Sequence, residues 1–194
     1  MSARIGRVAV GMAASACAVL IASLILPTPR PWIVWNASAS APLGAYRIRG
    51  DVPILVGDYA AIAPSAQLGA YLAKRRYLPM GVPLIKRVAA LGGARVCRRG
   101  GVVSVDGKAM AHAAMHDRAG RALPVWSGCR RLLADEIFVL NAAPASFDSR
   151  YFGPLQRRVL LGRADPLLTR DAPLAPLRWR GLRSEPVVPL QTKG

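Results

Sequence analysis

Lysine is scarce in this chain of 194 residues: Lys74, Lys86, Lys108 and Lys193 stand against 23 arginines. Chemistry that needs an amine side chain therefore has four candidates. Acids are scarce too, 10 Asp+Glu against 27 Lys+Arg, and the formal charge of +17 excludes an acidic, solvating protein. Histidine is limited to His112 and His116, cysteine to Cys17, Cys97 and Cys129. The spacing Cys-x14-His-x3-His-x12-Cys matches no common structural zinc site, so no metal is expected, and nothing calls for a cofactor. The histidines also lack the strand-turn context of a Ser-His-Asp nucleophile. Disorder needs low hydrophobicity alongside high net charge, and here 53% of residues are hydrophobic.

What is present begins with Val8 to Leu26, 19 consecutive residues without a charge, followed by Pro27 and Pro29. That length is close to the roughly 20 residues a helix needs to span a bilayer. Arg4 and Arg7 precede it without a nearby acid, which places residues 1–7 in the cytoplasm and the rest of the chain on the far side. A cleaved secretory signal is the competing reading, with Ala37-Ser38-Ala39 as its site. The run is longer than a usual h-region, and that site lies far beyond its end, so an uncleaved anchor over 8–26 is favoured. Cys17 lies within this run as a small apolar residue. Cys97 and Cys129 lie in the exported part, where an oxidising compartment permits a disulfide.

The remaining positive charges are scattered in ones, twos and threes, without a basic helix or an aromatic RNA-binding signature. Direct nucleic-acid binding is not expected, and an Arg-rich surface facing lipid headgroups fits better. From Trp32 to Leu161, short apolar or alternating stretches separated by Gly, Pro and Asp predict a mainly β domain over 30–166. Its clearest hairpin is Ala94 to Met110, turned at Asp106-Gly107. Residues 112 to 135 read as an inserted excursion carrying Cys129. Apolar residues around Lys74-Arg75-Arg76, among them Tyr71, Leu72 and Tyr77, suit a surface resting on headgroups, and equally an ordinary loop and strand. Residues 167–194, rich in Pro and Arg, predict a poorly ordered tail.

Three segments carry chemistry. In Asn36-Ala37-Ser38-Ala39-Ser40-Ala41-Pro42-Leu43-Gly44-Ala45-Tyr46, Pro and Gly bend the backbone and can present a hydroxyl at a surface. In Pro83-Leu84-Ile85-Lys86-Arg87-Val88, Lys86 lies in an apolar stretch. Burial would lower its pKa and leave a neutral amine able to take a serine proton. In Ser146-Phe147-Asp148-Ser149-Arg150-Tyr151-Phe152-Gly153-Pro154, Asp148 and Arg150 lie two apart, so an extended segment would point both, with Ser146, the same way. Each segment also has a plain reading: a polar linker, a snorkelling surface lysine and a capped turn.

Together and in this order, from about Asn36 to Ala164, the segments resemble the serine/lysine signal peptidases of the type I class, most closely the TraF-like signal peptidases of conjugative transfer systems. The resemblance implies a β-rich catalytic domain behind one transmembrane helix, in the bacterial inner membrane and facing the periplasm. It implies Ser40 as nucleophile, Lys86 as general base, and Ser38 as an oxyanion donor beside the Ser40 amide. Ser146 would orient the lysine, and Asp148 and Arg150 would brace the site. Its implied partners are the lipid bilayer and a membrane-bound, pilin-like precursor, whose cleavage can end in cyclisation. The chain departs from the general signal peptidases in three places. Ser40-Ala41-Pro42 is one residue shorter than their Ser-Met-x-Pro. Leu140-Asn141-Ala142-Ala143 replaces Gly-Asp-Asn, and Gly92-Gly93-Ala94 replaces Gly-x-Pro-Gly-Asp. Other readings are a general signal peptidase, a self-cleaving regulator with the same dyad, and a non-enzymatic secretion scaffold. The regulator reading expects a DNA-binding domain where the hydrophobic run stands, and the scaffold reading expects a dispensable dyad.

Overall fold

Alternation of apolar and polar residues sets the first hairpin. In β1 (Ile33–Asn36), Val34 and Asn36 turn inward and Ile33 and Trp35 outward, as a pleated strand with one buried face requires. β1 pairs antiparallel with β2 (Leu43–Arg49), with Ile33 opposite Arg47 and Asn36 opposite Gly44. The connection between them carries Ser38 and Ser40. The computed structural model describes residues 32–181. The expected cytoplasmic segment 1–7, the anchor 8–26 and Cys17 lie outside the described residues, as does the tail beyond residue 181. Among the described residues no helix is long and apolar enough to cross a membrane.

The remaining strands are β3 (Tyr59–Ile62), β4 (Leu84–Leu91), β5 (Arg95–Arg99), β6 (Val102–Val105), β7 (Lys108–His112), β8 (Gly128–Arg131), β9 (Glu136–Val139), β10 (Leu155–Gln156), β11 (Leu160–Arg170) and β12 (Arg178–Trp179). The larger sheet runs β1-β2-β11-β3-β4-β9-β10, with β12 added to β11, and the smaller runs β7-β6-β5-β8. The expected mainly β domain is what the described residues form. The Ala94–Met110 hairpin is also present: Asp106 (φ 47°) and Gly107 (φ 84°) both take the positive φ that a type I′ turn demands. One core of Phe138, Ile137, Val139, Val88, Ile62 and Leu72 extends to Val96 and Val103 of the smaller sheet. Cys97 and Cys129 are directly opposed across β5 and β8 and form a disulfide. It closes a sequence separation of 32 residues, for which chain entropy alone predicts about 3–4 kcal/mol of stabilisation.

The structure corrects three expectations. A helix, α1 (Ala66–Lys74), occupies the stretch read as loop and strand. Ser65 caps it by accepting from the Leu68 amide at 3.3 Å, and Leu72 buries against the core. The domain boundary at residue 166 cuts a strand, because β11 runs on to Arg170, and β12 pairs Trp179 with Leu168 and Arg178 with Thr169. Pro166 lies at a register shift between Pro166 and Leu168, where its missing N–H is tolerated. Asp148 and Arg150, finally, do not share an extended strand: Asp148 is the N-cap of a short helix, α2 (Ser149–Phe152).

Candidate active site

The loop bearing Ser38 and Ser40 is held by two residues on its flanking strands. Asn36 is buried and donates from Nδ2 to the carbonyls of Ser38 (2.9 Å), Ala41 (3.2 Å) and Pro42 (3.0 Å), while its Oδ1 accepts from the Ser38 amide at 3.1 Å. The wholly buried Tyr46 donates its hydroxyl to the Pro42 carbonyl at 2.8 Å. Gly44 closes the loop at φ 135°, where a Cβ would run into the Leu168 carbonyl of β11. This scaffold leaves Ser40 Oγ half-exposed and 3.0 Å from Ser38 Oγ.

Lys86 approaches from β4. It lies on the inward face of an eight-residue strand, between β3 on one side and the segment after β9 on the other, and only 4% of it is exposed. Its Nζ is 3.1 Å from Ser40 Oγ and 2.9 Å from Ser146 Oγ. Burial pushes the ammonium down to about 8, against a partial offset from the Asp148 carboxylate, while Arg150 lowers it further. The other described lysines, Lys74 and Lys108, are exposed.

Behind Ser146 lies a dense ionic brace. Asp148 accepts from Arg150 Nε at 2.7 Å and Nη2 at 3.0 Å, and from the Arg150 and Asn141 amides at 3.2 and 3.0 Å. Arg150 also donates to the carbonyls of Asn141 at 2.6 Å and Pro144 at 3.2 Å. Both side chains are sealed from solvent. Planar, bidentate guanidinium geometry suits such a site, since it satisfies a carboxylate and several carbonyls at once. Arg98, only 1% exposed, donates to the Arg150 carbonyl at 2.7 Å and ties the smaller sheet to α2.

Ser38, Ser40, Lys86, Ser146, Asp148 and Arg150 thus converge as a single cluster, and the Cys97–Cys129 disulfide stands apart in the smaller sheet. Two further members went unread in the sequence. Asn141 donates from Nδ2 to Ser40 Oγ and to the Ile85 carbonyl, both at 3.3 Å, and accepts from the Arg87 amide at 2.8 Å. Asn36 is the other. Its place three residues after Ile33 on an alternating strand marks it as inward-facing, which was the one available signal. The cluster opens on a cleft of about 830 Å³ whose lining includes Ser40, Lys86, Leu72, Phe147 and Tyr151.

A family model described as signal peptidase, peptidase S26, matches residues 5–168. The chain belongs to the S26 signal peptidase family. Three curated relatives place this S26 peptidase among the TraF-like members. It is 38% identical over 145 residues to a probable conjugal transfer protein TraF of Sinorhizobium fredii (strain NBRC 101917 / NGR234), covering 69% of this chain and 76% of that protein. It is 35% identical over 144 residues to the conjugal transfer protein TraF of Agrobacterium tumefaciens (strain 15955), covering 69% and 81%. It is 30% identical over 146 residues to a plasmid transfer protein TraF of Escherichia coli, again covering 69% and 81%. Family membership makes the S26 chain a hydrolase of the serine peptidase kind.

Proposed function

We propose that the protein is a membrane-anchored endopeptidase of conjugation. In this reading Ser40 and Lys86 form a Ser/Lys dyad that cleaves a pilin-like precursor on the periplasmic side of the bacterial inner membrane. The observation that carries the reading is the buried Lys86 amine at 3.1 Å from Ser40 Oγ, with Ser146 Oγ at 2.9 Å to hold it in line. Neutral Lys86 accepts the Ser40 proton as Ser40 Oγ attacks the scissile carbonyl carbon. The oxyanion takes hydrogen bonds from the Ser40 amide and from the Ser38 hydroxyl, which swings from Ser40 Oγ to reach it. Collapse expels the amine, which leaves with the proton held on Lys86, and an acyl-enzyme ester remains. Water then resolves the ester to a linear product; attack by the substrate's own N-terminal amine gives a cyclic one.

Membrane proximity supports this substrate class. The 13 residues between Leu26 and Ser40 reach at most about 45 Å fully extended, so the dyad stays near the bilayer that holds the precursor. The test is to incubate the full chain in membranes with such a precursor and weigh the product. Cyclisation yields a mature chain one water lighter than the linear form. No change in precursor mass overturns the reading.

The lowered Lys86 pKa sets the pH dependence. Below about 8 the ammonium dominates and cannot accept the Ser40 proton. kcat/KM is therefore expected to fall about tenfold per pH unit on the acid side and to level off above that point. A pH–rate profile with an acid limb near the ordinary lysine range would refute a buried base.

A further inference from the structure

The cleft that contains Ser40 and Lys86 has a second, chemically different end, built where the C-terminal turn of α1 meets the loop between β7 and β8. Asp117 joins the two parts. It accepts from Tyr77 Oη at 2.5 Å, from Arg121 Nε at 2.8 Å, and from the Ala119 and Arg121 amides at 2.9 Å each, with Arg75 at 3.6 Å. These bonds, Tyr77's foremost, hold its carboxyl well below the usual range, so Asp117 is charged and fully engaged. Arg75, Arg76, Arg118 and Arg121 line this end, and Asp117 is the one acid among the lining residues. The ion pairs outside this end join Arg130 to Glu136, Arg163 and Arg49 to Asp165, Arg180 to Asp171 and Arg150 to Asp148 among the described residues. Here the cations are in surplus. Arg76 and Arg118 are exposed and make no ion pair or side-chain hydrogen bond among the described residues. Nη1 of Arg75 is buried, with the Asp117 carboxylate at 3.6 Å as its ionic partner.

Excess positive charge on a concave wall focuses the field and draws an anion, and guanidinium groups match a carboxylate in two-point contact. We propose that this arginine end is a specificity subsite for an acidic side chain of the polypeptide substrate, Asp or Glu, at a fixed offset from the bond held over Ser40. The inference rests on the peptidase reading of the same cleft. A polypeptide is favoured over a lipid headgroup because the four arginines and the dyad line one continuous cleft, which an extended chain fills. A headgroup would meet the arginines without passing Ser40.

The test uses the full chain in detergent micelles, a denatured bacterial protein mixture as substrate, and mass spectrometry of the new termini. Asp and Glu are expected to be enriched about two- to fivefold at one position relative to the cut, the range that partly exposed ion pairs supply. In the double variant Arg76→Gln/Arg118→Gln the enrichment disappears, and Arg118→Glu turns the preference towards Lys and Arg. Because neither arginine holds the fold together, both variants stay folded. The exposed Arg158, outside the cleft, serves as control, and Arg158→Glu leaves the preference intact. Cleavage without acid preference, or a preference that both variants keep, overturns the subsite and leaves the peptidase reading standing. No new termini at all overturns both. Stimulation by phosphatidylglycerol over phosphatidylcholine that depends on Arg76 and Arg118, with no acid preference in the peptides, assigns the arginines to lipid and likewise overturns it.

Discussion

Ser40→Ala and Lys86→Met each reduce kcat/KM for precursor cleavage by at least about a thousandfold, the scale expected when a nucleophile or its general base is removed. Lys86→Met does so without unfolding the protein. Its folded pKa of about 8 lies below the ordinary 10.5, so the unfolded chain binds more protons between those values. Burying the ammonium therefore costs stability, fully below about pH 8 and progressively less up to about 10.5. An apolar side chain of similar length removes that cost, and the Met variant is expected to melt no lower than the parent at pH 7. Loss of activity together with retained or raised thermal stability separates a base from a structural lysine. Lys74→Ala and Lys108→Ala, at exposed positions, retain activity. A folded but inactive Lys108 variant, or precursor processing that survives Lys86→Met, would sink the dyad.

Arg150→Met lowers the melting temperature by about 10 °C. The substitution leaves the Asp148 carboxylate, 0% exposed, without its guanidinium and strips the carbonyls of Asn141 and Pro144 of a donor. Breaking a buried ion pair on one side costs about 3–5 kcal/mol, and in a domain of this size each kcal/mol shifts the melting point by about 2–4 °C. The companion variant Asp148→Asn/Arg150→Met recovers part of the loss, because it removes the stranded charge. Arg150→Lys recovers little, since a point charge cannot serve both carboxylate oxygens and two carbonyls. Differential scanning calorimetry of the three variants decides the matter. A melting point for Arg150→Met within about 2 °C of the parent, a shift that surface substitutions produce, would mean that the pair is not what braces the loop carrying Ser146.

Lys86→Met and Arg150→Met probe parts of the molecule that differed in how readable they were. The amine, the hydroxyls and the ion pair were each legible from local chemistry: an apolar stretch around Lys86, a bent Pro-Gly segment around Ser40, opposite charges two apart at Asp148 and Arg150. The helix cap at Asp148 was not, because an Asp-x-Arg pair reads alike in a strand and at a helix start. α1 is a short helix whose apolar spacing ends in the charged Lys74-Arg75-Arg76, so its signal is confined to Ser65 and the i, i+3, i+4 spacing of Leu68, Tyr71 and Leu72. Prolines after residue 166 suggested a tail, yet Pro173 and Pro176 fall in the connection between two paired strands, β11 and β12.

Asn141 and Arg98 had no local signature at all. Asn141 reaches Ser40 across 101 residues and Arg98 reaches Arg150 across 52, and a polar side chain announces its partner only when the fold brings the two within about 3 Å. Composition and local pattern settled which functional groups this chain has, that the part after residue 30 is β-rich, and that four lysines at most could act as a base. Tertiary structure alone decided which of the described lysines is desolvated, since the groups around the Lys86 amine come from the Ser40 loop and the Ser146 segment, 46 and 60 residues away in sequence. It also decided that four arginines from two separate segments gather on one wall of the cleft around a single carboxylate. Charge summed along the sequence carries no position, and in the field of a folded protein position determines what a charge does.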